Sequence, residues 1–282
     1  MGSMFSHLGV PLAWSGLDAH RPGIRQIGPQ RADQAAATLR VLTLNLAHAR
    51  GNHLVQRLVL RREAERQLDR VAVLLRQEAP QVVALQEADA KAFWSGRFNH
   101  VHFLAQRAGF ASYTQMPHVE RLGLAYGTAL MADTDLREDR GSKFHPTPPS
   151  FTKGWVSAVL PWHAVPGGAV RLVSLHLDFA RSRSRQSQLA QLALALRLER
   201  LPLVLMGDFN CELCQEPAML NLMQRLGLHA FEPEAGGPAT FPATGKRLDW
   251  ILISRDLRFV RHDVLSEAVS DHLPVAAELA PQ

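Results

Sequence analysis

The chain has 282 residues, of which 46% are apolar and 20% charged, so it carries enough apolar content for one large folded unit and lacks the bias of a disordered or fibrous protein. No apolar run reaches the roughly 18 residues of a membrane span, two cysteines are too few for a disulfide framework, and Met1 to Ser6 hold no apolar secretion core, which together make the cytoplasm the default expectation. The formal charge of +5 comes from 27 Arg and only 4 Lys; it attracts anionic partners, although the scatter of the arginines equally fits codon bias, with Arg181, Arg183 and Arg185 the one concentration.

Residues 1–38 mix Gly, Pro, Arg and Gln without periodicity and are expected to form a loosely ordered arm. Their first residues fit the loose Gly-x-x-x-Ser myristoylation pattern, with a cloning remnant ahead of Met4 as the simpler explanation. A single folded domain is expected over 39–282. It opens with the alternating-to-apolar strand Leu39 to Leu46. A helix is expected over 54–78, with Leu68, Val71, Ala72, Leu74 and Leu75 on one face and Pro80 as its stop. Val82 to Glu87 reads as a buried strand parallel to the first.

A short helix over 99–108 follows, then strands near 112–116, 126–132, 155–161 and 169–177. Pro146 to Pro149 and Pro166-Gly-Gly168 mark loops between them. An amphipathic helix over 183–199 precedes the strand 203–206. A helix near 216–226, a Gly/Pro-rich loop over 233–245 and strands near 248–253, 257–264 and 273–279 complete the chain. Strands outnumber helices, and helices separate some of them, which points to two packed sheets with helices outside.

Several strand tips carry polar groups. Leu203-Val-Leu-Met-Gly-Asp-Phe-Asn210 ends an apolar run abruptly in Asp208 and Asn210, whose alternation points both side chains the same way. The pair suits holding a water beside a phosphate or a metal, or equally making an Asx-type turn. Asn45, Glu87, His176 with Asp178, Asp249 and Ser270-Asp-His272 stand at other tips. Oxygen-rich sets of this kind suit Mg²⁺ or Mn²⁺ better than Zn²⁺.

The ordered set Asn45, Gln86-Glu87, His176-Leu-Asp178, Gly207-Asp-Phe-Asn210, Asp249-Trp250 and Ser270-Asp-His272 resembles the endonuclease/exonuclease/phosphatase (DNase I-like) superfamily across residues 39–280. That resemblance implies a four-layer α/β sandwich of two mixed sheets with helices on both outer sides. It implies a metal-dependent hydrolase of phosphate esters, foremost a phosphodiesterase or nuclease. A phosphomonoesterase or a sphingomyelinase-like lipid phosphodiesterase is the alternative, and a non-catalytic binding module on the same scaffold is a remote one.

The resemblance further implies Glu87, Asn45 and Asp271 as ligands of Mg²⁺ or Mn²⁺. Asp208 would orient or deprotonate the attacking water, and Asn210 would bind the phosphate. His176 and His272 would contact phosphate oxygens, with Asp249 fixing the tautomer of His272. Arg185 is a candidate substrate contact. A monomer acting on a phosphate-ester substrate, possibly nucleic acid, is the expected working unit.

The chain departs from DNase I-like members in having Tyr126 and Thr128 where they carry a glutamate for the first histidine, which leaves Asp178 or backbone to hold His176. Cys211-x-x-Cys214 has no further zinc ligands at suitable spacing and reads as structural or incidental. Trp94, Trp155, Trp162 and Trp250 are expected in the core by default, and Phe93 to Arg97 at the pocket rim.

Overall fold

Alternating apolar residues build a pair of sheets whose inner faces meet. In the computed structural model, which describes residues 20–30, 36–232 and 237–282, the first sheet has the order β1 (Arg25–Gln26), β4 (Ser112–Arg121), β5 (Leu124–Ala132), β3 (Val82–Ala92), β2 (Leu39–Asn45), β13 (Val275–Pro281), β12 (Leu257–Val264). The second has the order β10 (Leu228–Ala230), β11 (Asp249–Ser254), β9 (Leu203–Asp208), β8 (Ala169–His176), β7 (Gly154–Pro161), β6 (Arg137–Lys143). Leu39, Val41, Val82 and Ala84 of one sheet face Val156, Leu172, Val204 and Ile251 of the other in a shared core.

The alternate residues face outward onto helices. Leu42, Leu44, Val83 and Leu85 pack against α1 (Arg61–Glu78) and α2 (His100–Ala108). Val173, Leu175 and Leu205 pack against α3 (Ser182–Leu196) and α4 (Pro217–Leu226). The result is the expected four-layer sandwich. Each sheet contains one parallel pair, β2 with β3 and β8 with β9, joined by α1 and α3 respectively. A parallel pair joined by a crossover helix brings the ends of its pairing to one edge, so Asn45, His176 and Asp208 gather at the same end of the sandwich with Glu87, although the strand expected to stop at Glu87 runs on to Ala92 past a bulge.

The first expected helix starts late. Residues 54–60 are not helical: Val59 forms a parallel bridge with Ser95, and α1 begins only at Arg61. Of the expected arm, 20–30 touch both sheets: β1 pairs with β4 at the first sheet's edge, and His20 bridges Gly141 of β6 at the second sheet's edge. Residues 1–19, with the Gly2 pattern, and 233–236 of the Gly/Pro-rich loop lie outside the described residues.

Beneath the polar end, the Gln86 amide donates to Thr43 Oγ1 and to Ser174 Oγ, each at 3.2 Å, and Ser174 Oγ donates to the Leu85 carbonyl at 3.0 Å. The two bonds to Ser174 cross the interface between the sheets, and all three satisfy polar groups that burial would otherwise penalise. Gly207 is required next to them. Its φ is +147°, and a Cβ there would lie 2.1 Å from the Leu175 carbonyl oxygen of the neighbouring strand.

Candidate active site

Register sets the first row of the site. His176 on β8 stands beside Asp208 on β9, and Asp208 stands beside Asp249 on β11. Three ionisable side chains therefore line three adjacent strands of one sheet. The other sheet contributes Asn45, whose amide donates to Asp208 Oδ2 at 3.0 Å, while its own Oδ1 accepts from the Ala47 N–H at 3.0 Å. His272 enters from the loop before β13. Its Nδ1 lies 2.8 Å from Asp249 Oδ2, and its Nε2 lies 3.8 Å from Asp208 Oδ2.

Asp249 Oδ2 also accepts from Thr240 Oγ1 at 2.7 Å, while its Oδ1 is buried without a partner among the described residues. Burial pushes Asp208 up to about 7, with Asp249 adding to the rise and His272, Lys153 and Asn45 opposing it. Burial alone would lower His272, but Asp249, Asp208 and Asp271 outweigh it and raise it to about 10. The imidazolium is thus held between carboxylates, and the central acid is poised to take up or release a proton near neutral pH.

A second cluster forms around Glu87. The register of β3 against β5 slips between Leu85 and Ala88, and Glu87 adopts φ 47° at that bulge. The Arg50 guanidinium donates to Glu87 Oε2 at 3.1 Å and to Asp271 Oδ2 at 2.7 Å. His48 Nε2 lies 3.5 Å from Glu87 Oε2, and His48 Nδ1 lies 2.6 Å from Asp89 Oδ1. Lys153 Nζ is 3.9 Å from Glu87 Oε1. Burial would raise the Glu87 pKa, yet His48, Lys153, His176 and Arg50 together hold it below the usual carboxylate range. The turn that delivers His48 and Arg50 holds Ala47, His48 and Ala49 at φ 48°, 52° and 59° in succession, a conformation that non-glycine residues seldom adopt.

His176 has a partner the sequence did not suggest. Lys153 Nζ lies 2.9 Å from His176 Nε2, and His176 Nε2 lies 3.4 Å from Asp208 Oδ2. Burial and Lys153 both push His176 well below its ordinary value, so the imidazole is neutral beside the ammonium. Asp178 does not hold it. Its carboxylate accepts from Thr147 Oγ1 and from the Ala180 and Arg181 N–H groups, which fixes the entry to α3.

The structure also redirects Arg185, expected to contact substrate. Its guanidinium is committed to the Glu216 carboxylate at 3.1 Å and to the Asp178 carbonyl at 3.2 Å, tying α3 to the start of α4. Asn210 donates its backbone N–H to Asp208 Oδ1 at 2.9 Å and its side-chain amide to the Leu177 carbonyl at 3.0 Å, so the Asx turn and the placement beside Asp208 coexist. Trp155, Trp162 and Trp250 are core residues. Trp94 donates to Asp89 Oδ2 at 3.2 Å and meets the His48 ring edge-on. Cys211 is buried with its thiol pushed up to about 12, chiefly by burial, and Cys214 is exposed; no disulfide joins them.

Two groupings have the chemistry to hold a cation. Ligand atoms of Asp208, Asp249 and His272 all lie within 4.8 Å of one another. A protonated imidazole offers no lone pair, however, and that is the state these two acids impose on His272. The oxygen donors of Glu87, Asp271 and Asn45 fit a hard divalent ion better. Glu87 and Asp271 are already linked through one positive group, each accepting from a different nitrogen of the Arg50 guanidinium.

The comparisons with known proteins accord with this arrangement. Residues 42–272 match the model of the "Endonuclease/Exonuclease/phosphatase family". No curated protein sequence matches the chain. Among solved structures, an endonuclease/exonuclease/phosphatase from Beutenbergia cavernae aligns with a TM-score of 0.69 at 18% identity, over 87% of this chain and 72% of its own. The human Nocturnin catalytic domain aligns with a TM-score of 0.65 at 20% identity, over 93% of this chain and 100% of its own. A mannosyl-6-phosphatase from Bacteroides thetaiotaomicron aligns with a TM-score of 0.64 at 17% identity, over 86% and 99% respectively. At these identities the structural likeness speaks for the fold alone.

Proposed function

The chain belongs to the endonuclease/exonuclease/phosphatase family, whose members are phosphoester hydrolases, and from that premise we propose that it is a divalent-metal-dependent phosphodiester hydrolase. The observation that carries the reading is the position of Asp208, joined to Asn45 across the two sheets and flanked by His176 and His272. Asp208 is the proton acceptor for an attacking water. The water oxygen adds to phosphorus in line, the opposite P–O bond breaks, and the leaving oxygen takes a proton to become an alcohol.

His272, kept cationic by Asp249, donates to a non-bridging oxygen as negative charge builds there. Lys153 stands beside His176, with burial lowering its pKa and Glu87, Asp208 and Asp178 opposing that fall. Glu87, Asp271 and Asn45 would hold Mg²⁺ or Mn²⁺, which supplies a Lewis acid for the phosphoryl oxygens. Arg50, which bonds both carboxylates, would compete with such an ion for them.

Turnover of bis(p-nitrophenyl) phosphate with Mg²⁺ or Mn²⁺ tests the proposal. Activity should vanish in EDTA, and Asp208→Ala should lower it by roughly 10²–10⁴-fold while circular dichroism stays unchanged. Full activity in EDTA, or an Asp208→Ala variant as active as the parent, would defeat it. Faster turnover of p-nitrophenyl phosphate than of the diester would move the reading to a phosphomonoesterase.

A further inference from the structure

A cavity of about 640 Å³ opens between residues 20–27, β4 and the start of α2. None of the side chains gathered around Glu87 or Asp208 lines it. Its volume suits a small organic molecule.

The pairing of β1 with β4 sets Arg25 directly opposite Tyr113, which puts both side chains on one face of the sheet. Both line the cavity. Tyr113 is only 7% exposed, yet its hydroxyl has no hydrogen-bond partner among the described residues. Buried polar groups are ordinarily paired, because desolvation without a partner is costly. Burial raises the pKa of this hydroxyl, and the Arg25 charge opposes the rise. The hydroxyl is therefore a protonated donor beside a guanidinium, and Arg25 itself has no ion pair among the described residues.

Another wall comes from α2. Asn99 caps that helix by accepting from the His102 N–H at 2.8 Å, and the His102 ring lies 6.1 Å from the Tyr113 ring at 66°. Asn99 and His102 both line the cavity, so the positive end of the helix dipole borders it. The one acid lining it among the described residues, Glu120, is taken by Lys143 at 3.1 Å. Pro22, Ile27 and Pro117 add apolar surface. The cavity thus offers unspent donors and positive charge beside rings and apolar walls.

We propose that this cavity binds a small ring-bearing oxyanion, a phosphate or a carboxylate on a planar body. The oxyanion accepts from the Arg25 guanidinium and from the Tyr113 hydroxyl, the kind of charge-assisted bonds that guanidinium groups make to planar or tetrahedral anions. The ring packs against His102 and the prolines. The ligand is distinct from the substrate of the catalytic end, and the inference stands without the hydrolase reading.

Isothermal titration calorimetry of the full chain tests the site with three probes: phenylphosphonate, which has no ester bond to cleave, benzoate and phenol. One of the two oxyanions should bind at least about tenfold more tightly than phenol, and which one does so separates phosphate from carboxylate. Tyr113→Phe keeps the ring and removes a hydroxyl that bonds nothing in the described fold. It should keep the parent melting curve and weaken the preferred oxyanion by about tenfold. Arg25→Gln should weaken it at least as much.

Phenol binding as tightly as the oxyanions would overturn the proposal. So would the absence of saturable oxyanion binding at millimolar concentration, or an isotherm left unchanged by either substitution, which would place the probe elsewhere on the chain. Heat of binding is read without turnover, so an inert diester would defeat the hydrolase reading and leave this test intact.

Discussion

The two parallel strand pairs end at the same edge of the sandwich, yet they treat their carboxylates in opposite ways. Where the pairing of β2 with β3 ends, at the bulge of β3, Glu87 is ringed by His48, Arg50 and Lys153 and its pKa is lowered. At the ends of β8 and β9, Asp208 is more deeply buried, has Asp249 beside it and rises to about 7. Similar topology delivers one permanently anionic group and one that exchanges a proton near neutrality. Acid–base sites commonly assign roles by driving the pKa values of neighbouring groups apart. Here the division follows the boundary between the two sheets.

The largest effects should come from neutralising each carboxylate in turn. Asp208→Asn should cost roughly 10²–10⁴-fold in kcat while leaving Mn²⁺ affinity nearly unchanged. Glu87→Gln should lose activity and Mn²⁺ binding together. Electron paramagnetic resonance titration of Mn²⁺ beside steady-state kinetics separates the two, and identical behaviour of the variants would erase the distinction.

Arg50→Ala should act on one side only. It removes the cation bridging Glu87 and Asp271, so Mn²⁺ should bind about tenfold more tightly while the pH dependence set by Asp208 stays put. Weaker Mn²⁺ binding in this variant would mean that the guanidinium organises the donors rather than competing for them.

The smallest effect should appear in stability against pH. His272 is raised above its ordinary 6.5 to about 10 in the folded chain. Its contribution to stability is therefore fully present below pH 6.5 and is lost as pH rises through 10. Asp208 is also raised, so its stabilising neutral form fades earlier, between about 4 and 7. Thermal melts between pH 6.5 and 10 should show a loss of a few degrees in the parent chain and a flatter profile in Asp249→Asn. Equal slopes would remove the imidazolium from the account.

Much of this was legible in the sequence because strand ends are marked by abrupt polarity. Asn45, Glu87, His176, Asp208 and Asp249 all stop or open apolar runs, and the architecture followed from counting those runs. What was hidden is instructive. Lys153 lies just before an apolar strand and resembles any surface lysine until the fold buries it against His176. Arg50 and His48 reach Glu87 only through a run of left-handed residues that no periodicity encodes.

The polar edge strand β6, Arg-Glu-Asp-Arg-Gly-Ser-Lys, has no apolar pattern to betray it, since edge strands tolerate charge. The start of α1 was placed too early because Leu54 to Leu60 share its composition, though Val59 is spent on a strand bridge. Arg185 stands at its expected helix position with its guanidinium held by Glu216, 31 residues on, a pairing no local pattern encodes.

One bond described above ties the proposed activity to the docking of the two sheets. Asn45 and Asp208 stand 163 residues apart and belong to different sheets. Neither half of the chain therefore owns a partial catalyst. During refolding, a species with both sheets formed but undocked would carry nearly its full circular dichroism signal and hydrolyse nothing. Recovery of turnover thus serves as a stopwatch for the closing of the two halves, with secondary structure keeping separate time.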